Sequence, residues 1–267
     1  MKEIEMNKAA WSLLSKEHYE TFKKRLIEED TLINKNILSE LGDIKNKSLI
    51  HLQCNIGQDT ISLLREGLKE AVGVDLSDQN IFYGNKLKND FHISNLELIE
   101  ANVLDFDKAH DKLYDIVFTS EGVLGWLPDL KRWAEVVSNL LKEDGFFYVY
   151  DSHPFFHIFD EELLADKQEL KIKYDYFDAK ADKGMDIGGY ACETKHGENY
   201  WWNHSMSDVI NALIEAGLEI KYFHEFDTLF WNNGNMVQID KSLYQYPKLI
   251  KKLPMSYSIK AVKKNNK

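Results

Sequence analysis

The sequence predicts an α/β protein built on a doubly wound, mostly parallel sheet. Between residues 48 and 150, short apolar runs alternate five times with segments of helical periodicity, which is the order expected of parallel strands joined by helices. The apolar runs are nearly continuous, as in strands that are covered on both faces. Two later runs, at 218–226 and 256–262, raise the number of expected strands to seven.

Local residues place each element. Two helices are expected before the first strand: one spans 7–26, and the next begins at an Asp30 N-cap and ends at Gly42. Pro128 is expected at the first position of the helix that precedes the fifth strand, and Gly145 ends that helix. The other elements of the core are expected at 48–53 (strand), 58–66 (helix), 71–75 (strand), 78–91 (helix), 96–100 (strand), 114–119 (strand) and 146–150 (strand).

The alternation stops after residue 151. Residues 152–204 are expected to form an insertion of hairpin strands and loops, followed by a helix over 207–216 and by an irregular segment over 227–253. We therefore expect one domain over 1–267. Within it, residues 1–45 form an N-terminal helical cap and residues 152–204 form an inserted lid that contacts the acceptor.

Composition narrows the possible partners. The 267 residues carry a net charge of −11, and an acidic surface repels nucleic acid and anionic lipid, so neither is expected as the main partner. The two cysteines do not suggest a disulfide framework, which favours a cytoplasmic location. The histidines and cysteines lack the spacing of a metal site, so no metal is expected.

The first loop, from Gln53 to Gly57, joins a buried strand to a helix. Backbone N–H groups at such a turn face the strand ends and can hold a carboxylate-bearing ligand. The G-x-G-x-x-G spacing of a dinucleotide site is absent, so a nucleoside joined to an amino acid fits this loop better than a pyrophosphate-bridged cofactor. A strand–turn–helix without any ligand is the alternative reading.

Polar residues follow the next strands. Asp75 ends the second strand about twenty residues after the loop, where a carboxylate can accept both hydroxyl groups of a ribose. Asn102 follows the third strand, and its amide suits an adenine edge, although turn-forming asparagines are common. Thr119, Ser120 and Glu121 lie at the end of the fourth strand, where catalytic or cofactor-binding groups are expected.

Residues 48–77 and 114–130 together resemble the S-adenosylmethionine-dependent methyltransferases of the Rossmann-like class. They are similar in particular to a bacterial branch whose first loop reads His-Leu-Gln-Cys, here His51 to Cys54. The resemblance extends from the segment at 7–11 to the final strand. It implies a seven-stranded sheet with an antiparallel last strand, S-adenosylmethionine as the cofactor and S-adenosylhomocysteine as its product.

The resemblance also implies roles for individual positions. Asp75 would bind the ribose, Leu76 would pack on the adenine, and Asn102 would face the adenine amino group. The complete set of expected cofactor-binding residues is Trp11, Gln53, Cys54, Asn55, Gly57, Asp59, Asp75, Leu76, Asn102, Val103, Thr119 and Ser120.

Three positions depart from the family's usual pattern. His51 stands where the family at large has an acid, and Gln53 and Asn55 stand where it has glycine. Because the closer branch shares this form, we expect cofactor binding to be retained. The substitutions nevertheless motivate a second hypothesis, a catalytically silent protein that binds S-adenosylmethionine as a sensor or partner. A nicotinamide dehydrogenase is disfavoured by the missing glycine spacing and by the late seventh strand.

The main hypothesis is methyl transfer to a small-molecule acceptor. Methyl transfer depends mostly on positioning, and a base is needed only when the acceptor is protonated. The candidate catalytic residues are His153, Glu121 and Tyr19, although a single histidine in a turn often only satisfies the backbone. Most aromatic residues between 155 and 202 are expected to form the core of the insertion, and a minority that line an acceptor pocket would favour an apolar or aromatic acceptor. The sequence leaves open the acceptor, the methylated atom, the use of a base and the oligomeric state.

Overall fold

The computed structural model describes residues 2–177 and 180–264. Its centre is a seven-stranded sheet in which six strands run parallel and the last runs antiparallel to both neighbours, so the predicted fold class is confirmed. Within the described residues the strands are β1 (Ser48–Leu52), β2 (Glu70–Asp75), β3 (Leu96–Glu100), β4 (Tyr114–Ser120), β5 (Leu141–Ser152), β6 (Ala181–Ile187), β7 (Lys195–Trp202), β8 (Leu218–Phe226), β9 (Val237–Asp240), β10 (Leu243–Gln245) and β11 (Ser256–Lys263).

The strand order of the sheet is β3-β2-β1-β4-β5-β11-β8. The order reverses between β1 and β4, and a doubly wound sheet opens a crevice at the carboxyl ends of its strands at such a point. Strand β5 is longer than predicted, because Gly145 lies inside it and Leu141 already pairs with Tyr114. The sequence alone therefore did not distinguish a glycine inside a strand from a glycine that ends a helix.

Helices cover both faces of the sheet. Their bounds within the described residues are α1 (Lys2–Ser12), α2 (Ser15–Glu28), α3 (Lys35–Leu41), α4 (Gln58–Arg65), α5 (Asp78–Asp90), α6 (Leu130–Leu140), α7 (Glu161–Lys167) and α8 (Met206–Glu215).

Three predicted helix boundaries are corrected, two by the observed N-caps and one by a break within the helix. Helix α3 begins after Asn34, whose Oδ1 accepts from the N–H groups of Asn36 and Ile37 at 3.0 and 3.1 Å, so Asp30 is not its N-cap. Helix α6 is capped by Asp129, which places Pro128 just outside the helix. The single helix predicted over 7–26 is two helices, α1 and α2, that meet at residues 13–14.

The segment after β5 contains more structure than predicted. Helix α7 occupies part of it, and β6 and β7 pair as an antiparallel hairpin that packs on α1. Strands β9 and β10 form a second hairpin inside 227–253, which was expected to be irregular. These hairpins lie over the carboxyl ends of the parallel strands, where their side chains help to enclose a cavity.

Two large buried apolar clusters lie one on each face of the sheet, and two smaller clusters, near α7 and near α1, complete the core of the described residues. The cluster beneath α6 and α8 centres on Trp133 and Phe147, and the cluster beneath α2 to α4 includes Ile37 and Phe118. Both leave the strand ends free for polar residues. In the described part of the chain, no helix is both long and apolar enough to cross a membrane.

Candidate active site

A cavity of about 680 Å³ lies at the carboxyl ends of β1 to β5. This volume falls within the range of small-molecule and cofactor sites. Its wall includes residues from the ends of successive strands, among them Gln53, Asp75, Asn102, Glu121 and Ser152. The cavity therefore extends across the point at which the strand order reverses.

The first loop has the backbone conformation of a glycine-rich loop, although positions 53 and 55 carry other residues. Gln53 and Asn55 have φ angles of 60° and 53°, in the left-handed region where a side chain costs about 1–2 kcal/mol. This conformation explains why glycine is usual at both positions. Here the side chains make contacts instead, because Gln53 Nε2 donates to the Val123 carbonyl at 2.9 Å and Asn55 Nδ2 donates to the Tyr190 hydroxyl at 2.9 Å.

Asp75 lies at the cavity wall, at the end of β2. Its carboxylate accepts hydrogen bonds from the N–H of Asn55 at 2.8 Å, the N–H of Ser77 at 2.9 Å and Asn80 Nδ2 at 3.0 Å. Burial raises the pKa of this carboxyl to about 6, although the three donors oppose the shift. A carboxylate offers about four acceptor positions, so capacity remains for a ligand hydroxyl group.

The apolar end of the cavity lies over β2 and β3. Leu76 and Val103 line it, as do Trp11 of α1 and Asn102. Asn102 Oδ1 accepts from the N–H of Leu104 at 3.1 Å and so caps a short 3₁₀ helix, which is the turn role that the sequence left open. The amide stays at the wall, where its second lone pair can still meet a ligand.

Two expected cofactor residues do not reach the cavity. Gly57 has φ 78° at the N-cap of α4, and a Cβ there would lie 3.1 Å from Leu98 Cδ2. Glycine is therefore required at position 57 by the turn and by the packing against β3, and not by contact with a ligand. Thr119 is fully buried within β4, whereas Ser120, Cys54 and Asp59 do line the wall.

A buried polar chain supports the wall at His51. Its Nδ1 lies 2.9 Å from Thr60 Oγ1, and its Nε2 lies 3.3 Å from Ser120 Oγ. Burial lowers the pKa of His51 to about 3, so the ring is neutral at physiological pH. The family at large has an acid at this position. Here, the neutral His51 ring connects β1 to α4 and β4.

Glu121 projects from the end of β4 into the cavity. Its φ of 60° turns the chain sharply after the strand, and its Oε1 accepts from Asn34 Nδ2 at 2.8 Å. Asn34 therefore caps α3 with its oxygen and holds Glu121 with its nitrogen. The strained backbone and this contact together fix the direction of the carboxylate.

A second acid, Asp59, shares this part of the wall with Glu121 and Arg25. Burial raises the pKa of both carboxyl groups; the charge of Asp59 raises that of Glu121 further, and Arg25 partly offsets both shifts. Arg25 itself bonds Glu29 Oε1 at 2.9 Å and Ser242 Oγ at 3.2 Å. A carboxylate whose pKa is raised holds a proton more readily than an exposed carboxylate does, so either group can serve as a proton acceptor.

Asp151, which the sequence analysis did not single out, holds the loop that follows Glu121. Its buried carboxylate accepts from the N–H groups of Gly122 at 2.6 Å, Val123 at 3.2 Å and Leu124 at 2.9 Å. The sequence signal that could have identified Asp151 is its position directly after the predicted fifth strand. Its orientation toward the neighbouring loop could not be read from the sequence.

Aromatic rings form the far side of the cavity, which we call the aromatic wall. Trp126 and Trp201 meet edge to face with centroids 5.2 Å apart, and the ring of His157 lies 5.2 Å from that of Trp201. The aromatic wall consists of Trp126, His157, Trp201, Phe230 and Trp231. The sequence analysis expected most aromatics over 155–202 to be core and a minority to line an acceptor pocket, but it did not predict the contribution of residues 230 and 231.

The structure does not bring Tyr19 or His153 to the cavity. The Tyr19 hydroxyl donates to Asp90 on the outer side of α5. His153 Nδ1 accepts from the N–H of Phe155 at 3.1 Å, and its Nε2 lies 3.1 Å from Glu225 Oε1. His153 thus satisfies its own turn, which was the alternative reading of this histidine. Within residues 2–177 and 180–264, no group of three or more His, Cys, Asp or Glu side chains is arranged to hold a metal ion.

Comparison with known proteins agrees with this geometry. Residues 50–147 match the family model of the methyltransferase domain. An uncharacterised protein of Rickettsia prowazekii is 27% identical over 115 residues, which cover 42% of this chain and 45% of that protein. The chain thus matches less than half of that relative's length.

Solved structures share the fold over most of the chain. A candidate S-adenosylmethionine-dependent methyltransferase from Listeria monocytogenes has a TM-score of 0.60 at 19% identity, covering 85% of this chain and 95% of its own. The geranyl diphosphate C-methyltransferase of Streptomyces coelicolor, solved with Mg²⁺, geranyl diphosphate and S-adenosyl-L-homocysteine, has a TM-score of 0.55 at 15% identity, covering 85% and 77%.

The sheet order, the strand-end cavity and these likenesses define the Rossmann-like fold of S-adenosylmethionine-dependent methyltransferases. Residues 50–147 supply the match to the methyltransferase domain itself. Residues 50–147 are therefore similar to a methyltransferase domain, and the chain as a whole has the fold of S-adenosylmethionine-dependent methyltransferases.

The residues present fit that cofactor. Gln53 Oε1 and Gln58 Oε1 are buried acceptors without a hydrogen-bond partner, and both residues line the cavity. Buried acceptors without partners are costly unless a donor meets them, and the cofactor's α-ammonium group is such a donor. Asp75 would supply an acceptor for ribose hydroxyls, and Leu76 and Val103 would supply apolar surface for a purine, since all three line the cavity.

Proposed function

We propose that the protein transfers the methyl group of S-adenosylmethionine to a small-molecule acceptor bound in the same cavity. The observation that carries this proposal is the single cavity, which runs from the Asp75 end of β2 past Glu121 to the aromatic wall. Its volume of about 680 Å³ lies within the range of small-molecule and cofactor sites. The C-methyltransferase from Streptomyces coelicolor acts on a small molecule and shares the fold.

The proposed cofactor-binding residues lie in the half of the cavity over β1, β2 and β3. Asp75 accepts the ribose hydroxyls, while Leu76 and Val103 pack on the adenine, with Trp11 and Asn102 at its edge. The first loop holds the amino-acid part through Gln53, Cys54, Asn55 and Asp59, next to Ser120.

When bound, the cofactor supplies an electrophilic methyl group on a sulfonium. The chain's own residues have to orient the acceptor and exclude water. Glu121 is the proposed proton acceptor, because it is the candidate catalytic side chain that reaches the cavity, and Asn34 fixes its carboxylate. We further propose that residues 1–45 and 152–204 act as the lid, since α1 and the β6–β7 hairpin are joined by two hydrogen bonds between Asn7 and the Tyr200 backbone.

We place this reaction in the cytoplasm, because Cys54 and Cys192 are both unpaired. A nucleic-acid acceptor is not proposed, since the net charge of −11 repels phosphate backbones.

The test has two stages that use the full chain. Isothermal titration calorimetry with S-adenosylhomocysteine should show saturable binding, and its absence at millimolar ligand would refute the proposal. The protein is then incubated with methyl-labelled S-adenosylmethionine and a deproteinised bacterial extract. Label is expected in the small-molecule fraction. Binding without any transfer would instead support the catalytically silent sensor.

A further inference from the structure

We propose that the acceptor carries a basic nitrogen, which is held as a cation between the Glu121 carboxylate and the aromatic wall and is methylated there. This inference rests on the proposed function, because it names the class of acceptor that such a transferase uses. It concerns the half of the cavity beyond β4, away from Asp75.

Gly122 links the residue that carries the acid to two rings of the aromatic wall. A Cβ at Gly122 would lie 3.7 Å from the ring of Phe230, and Trp126 Nε1 donates to the Gly122 carbonyl at 2.9 Å. Gly122 follows Glu121 directly, so both rings lie against the residue next to the acid, and all three side chains line the same cavity. The faces of aromatic rings attract cations, and a carboxylate adds the opposite charge.

The rings form a continuous surface around this point. Phe230 and Trp231 have centroids 4.6 Å apart, and the ring of His157 is nearly parallel to that of Trp231, at 14°. Burial lowers the pKa of His157 to about 4, so this ring is neutral at physiological pH. The aromatic wall thus adds no positive charge that would repel an ammonium group.

The charges on the described wall disfavour an anionic acceptor. Its cationic side chains are Lys8 and Arg25. Lys8 Nζ lies 2.7 Å from Glu100 Oε1, and Arg25 Nε lies 2.9 Å from Glu29 Oε1. Each cation already has a carboxylate partner, and Lys8 belongs to α1, over the apolar end of the cavity. A carboxylate or phosphate acceptor would therefore meet Glu121 and Asp59 without an unpaired cation.

Glu121 can also accept the proton that the ammonium group must lose before the nitrogen is methylated. An ammonium acceptor first gives a proton to Glu121, which frees the nitrogen lone pair. The nitrogen then forms the N–C bond as the C–S bond of the cofactor breaks and its electron pair stays on sulfur, leaving a neutral thioether. Burial and the charges of Asp59 and Asp151 raise the pKa of Glu121, while Asn34 and Arg25 oppose the shift, so this carboxylate is a stronger base than an exposed one.

The test compares three probes with one ring and different charges: benzylamine, benzyl alcohol and benzoate. Each is titrated by calorimetry into the full chain saturated with S-adenosylhomocysteine. We expect benzylamine to bind about tenfold more tightly than benzyl alcohol, and benzoate to bind more weakly than either.

Variants locate the effect. Glu121→Gln should weaken benzylamine binding about tenfold while leaving benzyl alcohol unchanged. Trp231→Leu should weaken benzylamine more than Trp231→Phe does, because the second variant keeps a ring. Glu169→Gln, at an exposed glutamate outside the cavity, is the matched control and should change nothing.

Equal affinity for the three probes, tighter binding of benzoate, or no benzylamine binding at millimolar concentration would overturn the inference. So would an unchanged preference in Glu121→Gln. Each of these results leaves methyl transfer itself standing, provided that S-adenosylhomocysteine binds. Failure of S-adenosylhomocysteine to bind would instead remove the proposed function.

Discussion

The backbone N–H of Asn55 donates a hydrogen bond to Asp75 Oδ2 at 2.8 Å, which joins the first loop to the end of the neighbouring strand. The acid that we propose to bind the ribose therefore also holds the loop that we propose to contact the methionyl group. The two halves of a nucleoside–amino acid ligand would meet one connected unit of the protein.

Asp75→Ala should consequently weaken S-adenosylhomocysteine binding by more than tenfold. A hydrogen bond to a charged group contributes about 1.5–3 kcal/mol, and the loop loses its support as well. Asp75→Asn should be milder, since an amide oxygen can still accept from Asn55. Calorimetry measures both affinities, and Glu66→Ala, at an exposed acid after α4, serves as the control. Wild-type affinity in Asp75→Ala would show that the ribose lies elsewhere.

Acidification should also weaken cofactor binding. The pKa of Asp75 is raised to about 6 by burial, and only its ionised form accepts hydrogen bonds at all positions from ligand hydroxyls. Affinity should be complete above about pH 7 and fall roughly tenfold by about pH 5, as Asp75 is protonated. Asp59 and Glu121 titrate in the same cavity, so the contribution of Asp75 is the part that Asp75→Asn removes. An identical pH profile in wild type and Asp75→Asn would contradict this assignment.

Two substitutions at Asn34 should separate its two roles. Asn34→Ala removes both the cap of α3 and the donor to Glu121, and should lower the free energy of unfolding by about 1 kcal/mol. Asn34→Asp keeps the cap but places a carboxylate against Glu121. Its destabilisation should be larger at about pH 8 than at about pH 5, where one of the two acids gains a proton. Urea unfolding at both pH values measures this, and a pH-independent Asn34→Asp effect would refute the contact.

Asp151→Ala should be among the most destabilising single changes near the cavity. It leaves the N–H groups of Gly122, Val123 and Leu124 without their shared acceptor, at an expected cost of about 3 kcal/mol in unfolding free energy. Asp144→Ala, at an exposed acid on the same strand, should change stability by less than about 0.5 kcal/mol. Similar urea midpoints for the two variants would mean that Asp151 does not hold the Glu121 loop.

The strand ends were predictable because each parallel strand is a short apolar run in the sequence, and the residue after the run marks the end of the strand. Asp75, Asn102 and Glu121 each come directly after such a run, and the crossover geometry of the sheet brings these ends to one edge. Helix starts were less predictable, because Asp30 and Asn34 are both good caps and only the packing of α3 selects Asn34.

The far side of the cavity could not be predicted in the same way. Trp201 and Trp231 come from segments without helical or strand periodicity next to the sheet, and tertiary contacts alone place them together. His153 was expected at the cavity because it follows β5 closely, but the chain turns there and its ring faces Glu225. Sequence position near a strand end fixes the neighbourhood of a side chain but not its direction.

Gln53 gives the molecule a property that a glycine in its place would not. Its amide ties the end of β1 to the Val123 carbonyl, in the loop that follows Glu121. A glycine would relieve the strained backbone but would cut this connection between the first loop and the loop that follows Glu121. The cost of the left-handed backbone at Gln53 is therefore offset by a tie between two loops that line the same cavity.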